Sequence, residues 1–245
     1  MLIESAQNAT FKQVLSLTTS KGLKEEGLFL LCGEKLIREF LKKPHLKIVH
    51  EVLSSDQKPL TETVTEIRLA PALFDQIDVL GTHFNILVLE QPPIPVLTAV
   101  DMNVYVPSDI ELVAPLGDPG NLGALIRSCE AFGVPRVTLS REAAHPFLPK
   151  TVKASAGSVL RVALARGPAL AEFPSTCIAL DMRGTPIDAF VWPSRGLLLV
   201  GEEGPGFNTA AFPTRICIPT TGVESLNVVV AASIALSRIP PKAVR

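Results

Sequence analysis

The spacing of apolar residues first marks out a stretch of roughly 90 residues in which short strands alternate with helices. Apolar runs bounded by turn residues predict strands, and a repeat of three or four residues predicts helices. Lys21–Lys24 is expected to end the first helix. The predicted strands cover residues 27–32, 48–53, 67–69 and 85–89, and the predicted helices cover 11–17, 35–41 and 71–79. This alternation predicts a small α/β unit.

A proline cluster follows this first unit. Pro92, Pro93 and Pro95 lie where neither a helix nor a strand can continue. The sequence therefore predicts a linker, with a boundary near residue 98 that separates residues 1–98 from residues 99–245.

The second stretch is again α/β, and its apolar runs are denser. The predicted strands cover 111–116, 136–139, 159–162, a run ending at 181, 197–200 and 215–218, and the predicted helices cover 121–132 and 225–236. Leu197–Val200 has four consecutive large apolar residues, which is typical of a strand buried on both faces in a parallel sheet. The helix from Leu226 to Leu236 is apolar nearly all round, so we expect it to be buried as well.

Two loops in this stretch have the composition of a binding site. One is the turn at 201–206, which contains Glu202 and Glu203, and the other is the loop at 219–222. We expect the two loops to leave the ends of neighbouring strands, where open α/β sheets bind ligands. Two carboxylates would repel a phosphate, so the turn suits a ligand held by backbone groups, with a carboxylate free for a hydroxyl or a cation. A connection that only needs glycine explains the turn equally well.

Two helices carry polar residues that their apolar stripes do not explain. Gly123, Arg127 and Glu130 share one face of the helix at 121–132. A glycine inside a helix costs about 1 kcal/mol, which suggests close packing beside Arg127. An exposed Arg127–Glu130 pair is the simpler explanation, and the pattern alone favours it. Asn227 begins an apolar helix and should have hydrogen-bond partners, which a capping role would also supply.

Composition narrows the class of protein. None of the apolar runs approaches the roughly 18 residues that a membrane span needs, and no signal-peptide pattern is present, so we expect a cytoplasmic protein without a membrane partner. The four cysteines are widely spaced and the four histidines scattered, which predicts free thiols and no metal site. A net charge of −1 is not typical of a generic nucleic-acid binder. Residues 1–50 nevertheless carry eight lysines or arginines against five acids, which fits a local basic face or, more commonly, a solvated helix surface.

Three segments of the second unit carry a family resemblance. Residues 118–127 (DPGNLGALIR), 198–206 (LLVGEEGPG) and 218–228 (IPTTGVESLNV) resemble the three motifs of the SpoU/TrmH-type RNA ribose 2′-O-methyltransferases of the SPOUT superfamily. Residues 153–157 (KASAG) resemble a further family segment. The first 90 residues more loosely resemble an L30e-like RNA-binding domain, at Asn8, Lys12, Lys21, Lys24, Phe29 and Gly33.

The resemblance implies a fold, a cofactor and partners. The implied fold is α/β, with a SPOUT-type parallel sheet and a deep trefoil knot at residues 99–245, preceded by a small L30e-like domain. The implied methyl donor is S-adenosyl-L-methionine, and the implied partners are RNA and a second copy of the chain in a homodimer.

The resemblance also assigns residues to roles. The implied catalytic residues are Asn121, Arg127, Glu203, Ser225 and Asn227. The implied donor-binding residues are Gly201, Glu203, Gly206, Ile218, Pro219, Leu226 and Asn227. The implied RNA-binding residues are Lys12, Lys21, Lys24 and Arg127.

The implied reaction is methylation of a ribose 2′-hydroxyl, with ribosomal RNA as the leading substrate. Transfer RNA is the alternative substrate, and a catalytically silent RNA-binding factor of the same fold is the alternative function. Glu202, Thr220 and Val229 depart from the family pattern, which affects the expected pocket shape more than the reaction class.

Overall fold

The computed structural model describes residues 2–201, 211–223 and 225–240, and the chain divides into two compact units. The first unit contains Met1–Pro93 together with His145–Gly157, and the second contains Ile94–Ala144 and Ser158–Arg245. The segment His145–Gly157 therefore groups with the first unit although the sequence pattern places it in the second.

The first unit contains a mixed sheet of five strands in the order β1-β4-β3-β5-β2. Strands β1, β4 and β3 are parallel, and β5 runs antiparallel to both β3 and β2. The strands are β1 (Leu2–Ile3), β2 (Leu28–Leu31), β3 (Ile48–Ser54), β4 (Thr65–Leu69) and β5 (Ile86–Glu90). The helices between them are α1 (Ala9–Ser16), α2 (Ser20–Glu26), α3 (Glu34–Lys42) and α4 (Pro71–Ile77).

Helix α2 corrects one expectation, because Lys21–Lys24 lies inside a helix and does not end one. Thr19 caps α2 by accepting a hydrogen bond from the Gly22 N–H at 3.1 Å. The helix ends at Gly27, whose φ of 64° lies in the left-handed region that favours glycine. Gly22, inside Lys21–Lys24, marks close packing against α1, and the helix ends five residues later at Gly27.

The second unit contains six parallel strands in the order β11-β9-β10-β6-β7-β8. The predicted parallel sheet is therefore confirmed. The strands are β6 (Ile110–Ala114), β7 (Arg136–Leu139), β8 (Ala163–Arg166), β9 (Ile178–Pro186), β10 (Gly196–Leu199) and β11 (Arg215–Cys217). The remaining helices are α5 (Ala99–Val104), α6 (Pro119–Ala131), α7 (Pro149–Ala154), which belongs to the first unit, and α8 (Val228–Ser237).

Two strand expectations for this sheet were wrong. Strand β9 lies between β10 and β11, so the two glycine-containing loops do not follow neighbouring strands. Residues 159–162 do not form a strand either, because Ser158–Leu160 is a 3₁₀ turn and β8 begins at Ala163. Strand order depends on pairing between distant segments, which local periodicity does not encode.

Helix α8 is less buried than its composition predicts. It begins at Val228 and buries Ala232, Ala235 and Leu236, while Val230 is 48% exposed. The expectation of a fully buried helix is therefore wrong for the single chain. The apolar surface that α8 leaves open is available for a partner.

The cysteines are free, as predicted, and Cys32, Cys129 and Cys177 are buried. Within the described ranges, no cluster of three or more His, Cys, Asp or Glu side chains could hold a metal ion. In the same ranges, no helix has the length and apolar character required to cross a membrane.

Candidate active site

The edge of the six-stranded sheet at the carboxyl ends of its strands is the natural place for a site. From β6 the chain continues to β7 and β8 on one side, whereas β10, β9 and β11 lie on the other side. The strand order therefore reverses between β6 and β10. In open parallel sheets, ligands bind in the crevice outside the carboxyl ends of the strands at such a reversal.

Helix α6 begins at this edge, directly after β6. The Asp118 carboxylate caps it by accepting a hydrogen bond from the Asn121 N–H at 2.8 Å, and Pro119 occupies the first turn. Leu122, Leu125, Ile126 and Cys129 are buried, as the predicted apolar stripe requires. Asn121 is half-buried at the start of the helix, and Gly123 is buried one turn before Arg127.

Arg127 is exposed on α6, and among the described residues it has neither a hydrogen-bond partner nor an ion-pair partner. The simpler explanation, a pair between Arg127 and Glu130, is wrong because Glu130 binds Arg161 instead. An exposed guanidinium of this kind is suited to binding an anion.

Glu130 and Arg161 form a two-pronged ion pair. Arg161 Nε donates to Glu130 Oε1 at 2.5 Å, and Arg161 Nη2 donates to Oε2 at 2.8 Å. The hydrogen bonds from Arg161, with a further one from Ser158, outweigh partial burial and lower the pKa of Glu130 below its usual value. The sequence did not single out Arg161, since it lies 31 residues from Glu130.

Asn227 lies at the N-terminus of α8. Its Oδ1 accepts hydrogen bonds from the N–H groups of Val229 at 2.9 Å and Val230 at 3.4 Å, so the predicted need for partners is met by a cap. Ser225 is exposed and Leu226 half-buried just before it. Helix α8 packs on α6, and the hydroxyl groups of Ser128 and Ser233 are 2.8 Å apart.

The residues expected to bind the donor follow two of the strands. Gly201 follows β10, while Ile218 and Pro219 follow β11. Among the described residues, and outside the strand ladders, no hydrogen bond reaches the backbone N–H or C=O groups of Gly201, Ile218 or Leu226. Glu202, Glu203 and Gly206 lie outside the described residues.

The residues expected to bind RNA lie in the first unit, except for Arg127. Lys12, Lys21 and Lys24 are exposed on α1 and α2. The Lys12 ammonium donates to Gln7 Oε1 at 2.6 Å, and Lys21 lies 3.8 Å from Glu25. Phe29 is fully buried, so its contribution is to the core of this unit.

The family model of the SpoU rRNA methylase family matches residues 111–237 of the chain. This match includes β6, α6, the loops after β10 and β11, and α8. The chain belongs to the SpoU rRNA methylase family. The motif resemblance is thereby confirmed.

Individual relatives support the same assignment. A protein of Bacillus subtilis named 23S rRNA (guanosine(2553)-2′-O)-methyltransferase RlmP is 30% identical, with 95% of this SpoU-family chain and 96% of that protein aligned. A protein of Syntrophobacter fumaroxidans named Ribosomal RNA small subunit methyltransferase G 2 is 35% identical over 96% of this chain, which spans only 48% of that longer protein.

A solved structure has the same fold. It is the AdoMet-bound rRNA methyltransferase from Sinorhizobium meliloti, with a TM-score of 0.76 and 24% identity over 97% of this SpoU-family chain and 96% of that one. At this level of identity the likeness supports the α/β fold with its parallel sheet.

Proposed function

We propose that this chain is an RNA methyltransferase that transfers a methyl group from S-adenosyl-L-methionine to a ribose 2′-hydroxyl. The observation that carries the proposal is the position of the family motifs. Asn121 and Arg127 are on α6, which follows β6, and Gly201 follows β10, so two of the three motifs adjoin the strands that flank the sheet reversal. Asn227 of the third motif begins α8, which packs on α6. These positions support a ligand in that crevice.

The described residues fit the proposed donor by their chemistry. Gly201, Ile218 and Leu226 offer backbone groups and apolar surface and carry no basic side chain, which suits a nucleoside without phosphates. When bound, S-adenosyl-L-methionine would supply the methyl group from its sulfonium sulfur: the S–CH3 bond breaks as the ribose O–CH3 bond forms, and S-adenosyl-L-homocysteine leaves. Glu203, which the resemblance places in both the donor-binding and catalytic sets, remains part of this proposal.

In the proposed mechanism, Arg127 grips the phosphate beside the target ribose and stabilises the oxygen as its proton leaves. A guanidinium is a poor base, so its role is positioning and charge stabilisation. Removal of the proton is then shared with the phosphate. Asn121, Ser225 and Asn227 supply further polar groups around the reacting atoms.

Ribosomal RNA is the proposed substrate, and large-subunit RNA is the more specific choice. The support is the end-to-end similarity to the Bacillus subtilis protein, whose name specifies 23S rRNA, whereas the small-subunit name belongs to a protein twice as long. Transfer RNA stays as the alternative. With ribosomal RNA as the substrate, we propose a cytoplasmic location.

The first unit and the assembly complete the proposal. We take residues 1–98 as an L30e-like RNA-binding domain, supported by the exposed Lys12, Lys21 and Lys24. We take residues 99–245 as the methyltransferase domain, with its C-terminal segment in a trefoil knot and a homodimer as the active form. The support for a dimer is the open apolar surface of α8 around Val230, and a monomeric mass in light scattering would contradict it.

Arg127→Ala tests the proposed function. We expect methyl transfer to RNA to fall by at least about 100-fold, because the variant lacks the charge that stabilises the developing oxyanion. The affinity for S-adenosyl-L-methionine, measured by calorimetry, should change less than about twofold, since the donor-binding groups are on other elements.

Arg195→Ala is the matched control, since Arg195 is also exposed but precedes β10 at the opposite edge of the sheet. Arg195→Ala should preserve both methyl transfer to RNA and the affinity for S-adenosyl-L-methionine. If the wild-type chain binds no donor, the silent RNA-binding factor is the better function. If Arg127→Ala loses donor binding as well, the role of Arg127 is structural.

A further inference from the structure

Two polar contacts hold helix α6, and the residues of α6 that make them follow Arg127 closely in the sequence. Ser128 contacts Ser233 of α8 through their hydroxyl groups, 2.8 Å apart. Glu130 contacts Arg161 through the two hydrogen bonds of 2.5 and 2.8 Å. The side chains of Arg161 and Glu130 are 48% and 35% exposed, so water competes for this pair only in part. Two such hydrogen bonds from one guanidinium fix the orientation of the carboxylate relative to it, as well as the distance between the two groups.

The chain around Arg161 packs on α6. Residues 158–160 form the 3₁₀ turn that packs on α6, and the Arg161 N–H donates to the Ser158 carbonyl at 3.0 Å. Arg161 is therefore held by a turn that packs on the helix carrying Glu130 and Arg127.

We infer that Glu130 is a positioning residue for Arg127, and that the Glu130–Arg161 pair holds the part of α6 that carries Arg127. The inference rests on the proposed function and adds a residue that positions the proposed catalytic group. Glu130 itself contacts neither donor nor RNA. Its carboxylate sets the orientation of the helix from which the Arg127 guanidinium projects.

Glu130→Gln is the first test, because it keeps the shape of the side chain and removes the charge that binds both prongs of Arg161. We expect kcat for RNA methylation to fall about tenfold, corresponding to about 1.4 kcal/mol of transition-state stabilisation. The Kd for S-adenosyl-L-methionine should stay within about twofold. The exchanged pair Glu130→Arg with Arg161→Glu should recover part of the lost kcat, which a simple loss of packing would not allow.

Glu172→Gln is the matched control, because it removes another Arg–Glu pair of the same unit, with Arg141 at 3.1 Å. It should leave kcat unchanged. If Glu130→Gln does not fold, Arg161→Lys is the second variant. It keeps the positive charge but lacks the planar guanidinium that makes both hydrogen bonds, and it should give the same loss of kcat.

Unchanged kcat in a folded Glu130 or Arg161 variant, with active wild-type protein, would overturn the inference while leaving the proposed function intact. Equal losses of kcat and donor affinity would overturn it too, since they indicate a general structural role. Absence of methyl transfer by the wild-type protein would instead count against the proposed function.

Discussion

Among the described residues, only the oxygen of the Asn227 carboxamide makes hydrogen bonds. Its oxygen caps α8, whereas its Nδ2 has no hydrogen-bond partner among the described residues. A capping role needs an acceptor alone, so the amide donor is available to a ligand. The sequence indicated that this side chain needs partners, but only the structure separates the atom that caps from the atom that remains open.

Asn227→Asp tests that separation. The carboxylate keeps the capping oxygen and suits a helix N-terminus, so the free energy of unfolding should stay within about 0.5 kcal/mol of wild type. Methyl transfer should fall about 100-fold, because the amide donor proposed to act at the site is gone. Urea unfolding and methyl-transfer assays give the two quantities.

Asn227→Ala is the comparison variant, and it should additionally destabilise the protein by about 1 kcal/mol through loss of the cap. Full activity of Asn227→Asp would show that Asn227 serves only as a cap.

At the scale of elements, the contact between α1 and α2 depends on one glycine. Gly22 is buried, and a Cβ added to it would lie 2.1 Å from the Ser16 carbonyl oxygen. That oxygen belongs to the backbone, so no side-chain rotation relieves the overlap. The two helices can therefore approach this closely only with glycine at the contact.

Gly22→Ala should consequently lower the free energy of unfolding by about 3 kcal/mol, although alanine is normally the better helix former. Chemical denaturation followed by circular dichroism measures the change. Gly27→Asn is the matched control, since Gly27 has a left-handed φ, has open space around it, and asparagine tolerates that conformation. Equal stabilities of Gly22→Ala and wild type would contradict the close helix contact.

The element predictions succeeded where the signal was local. Helix α6 and strands β7 and β10 follow directly from their apolar stripe or run, because periodicity and turn residues act over a few positions. Residues 159–162 were mistaken for a strand because a short apolar run also suits a buried 3₁₀ turn. Helix α2 was missed because its glycine was taken as a stop signal, while its true end is the left-handed Gly27.

At the scale of the whole molecule, the two units are not continuous segments of the sequence. The chain leaves the second unit after Ala144, packs with the first, and returns at Ser158. Within the first unit, the Phe147 side chain is fully buried and stacks on Phe29, with ring centroids 4.8 Å apart. Residues 145–157 therefore contribute to the core of the first unit.

Phe147→Leu tests this grouping. It should destabilise the protein by about 1–2 kcal/mol, because the first unit loses the stacked contact between Phe147 and Phe29. Urea unfolding measures the change. An unchanged free energy of unfolding would show that Phe147 does not contribute to that core.

The sequence by itself determined the α/β class, the parallel character of the second sheet, and the family motifs, because each depends on residues close together in the chain. Only the tertiary structure decided that β9 separates β10 from β11, that Glu130 binds Arg161 and not Arg127, that α8 keeps an open apolar surface, and that residues 145–157 pack with the first unit. These features depend on contacts between segments far apart in the chain. Such contacts form where burial and hydrogen bonding favour them in three dimensions, and local spacing does not specify them.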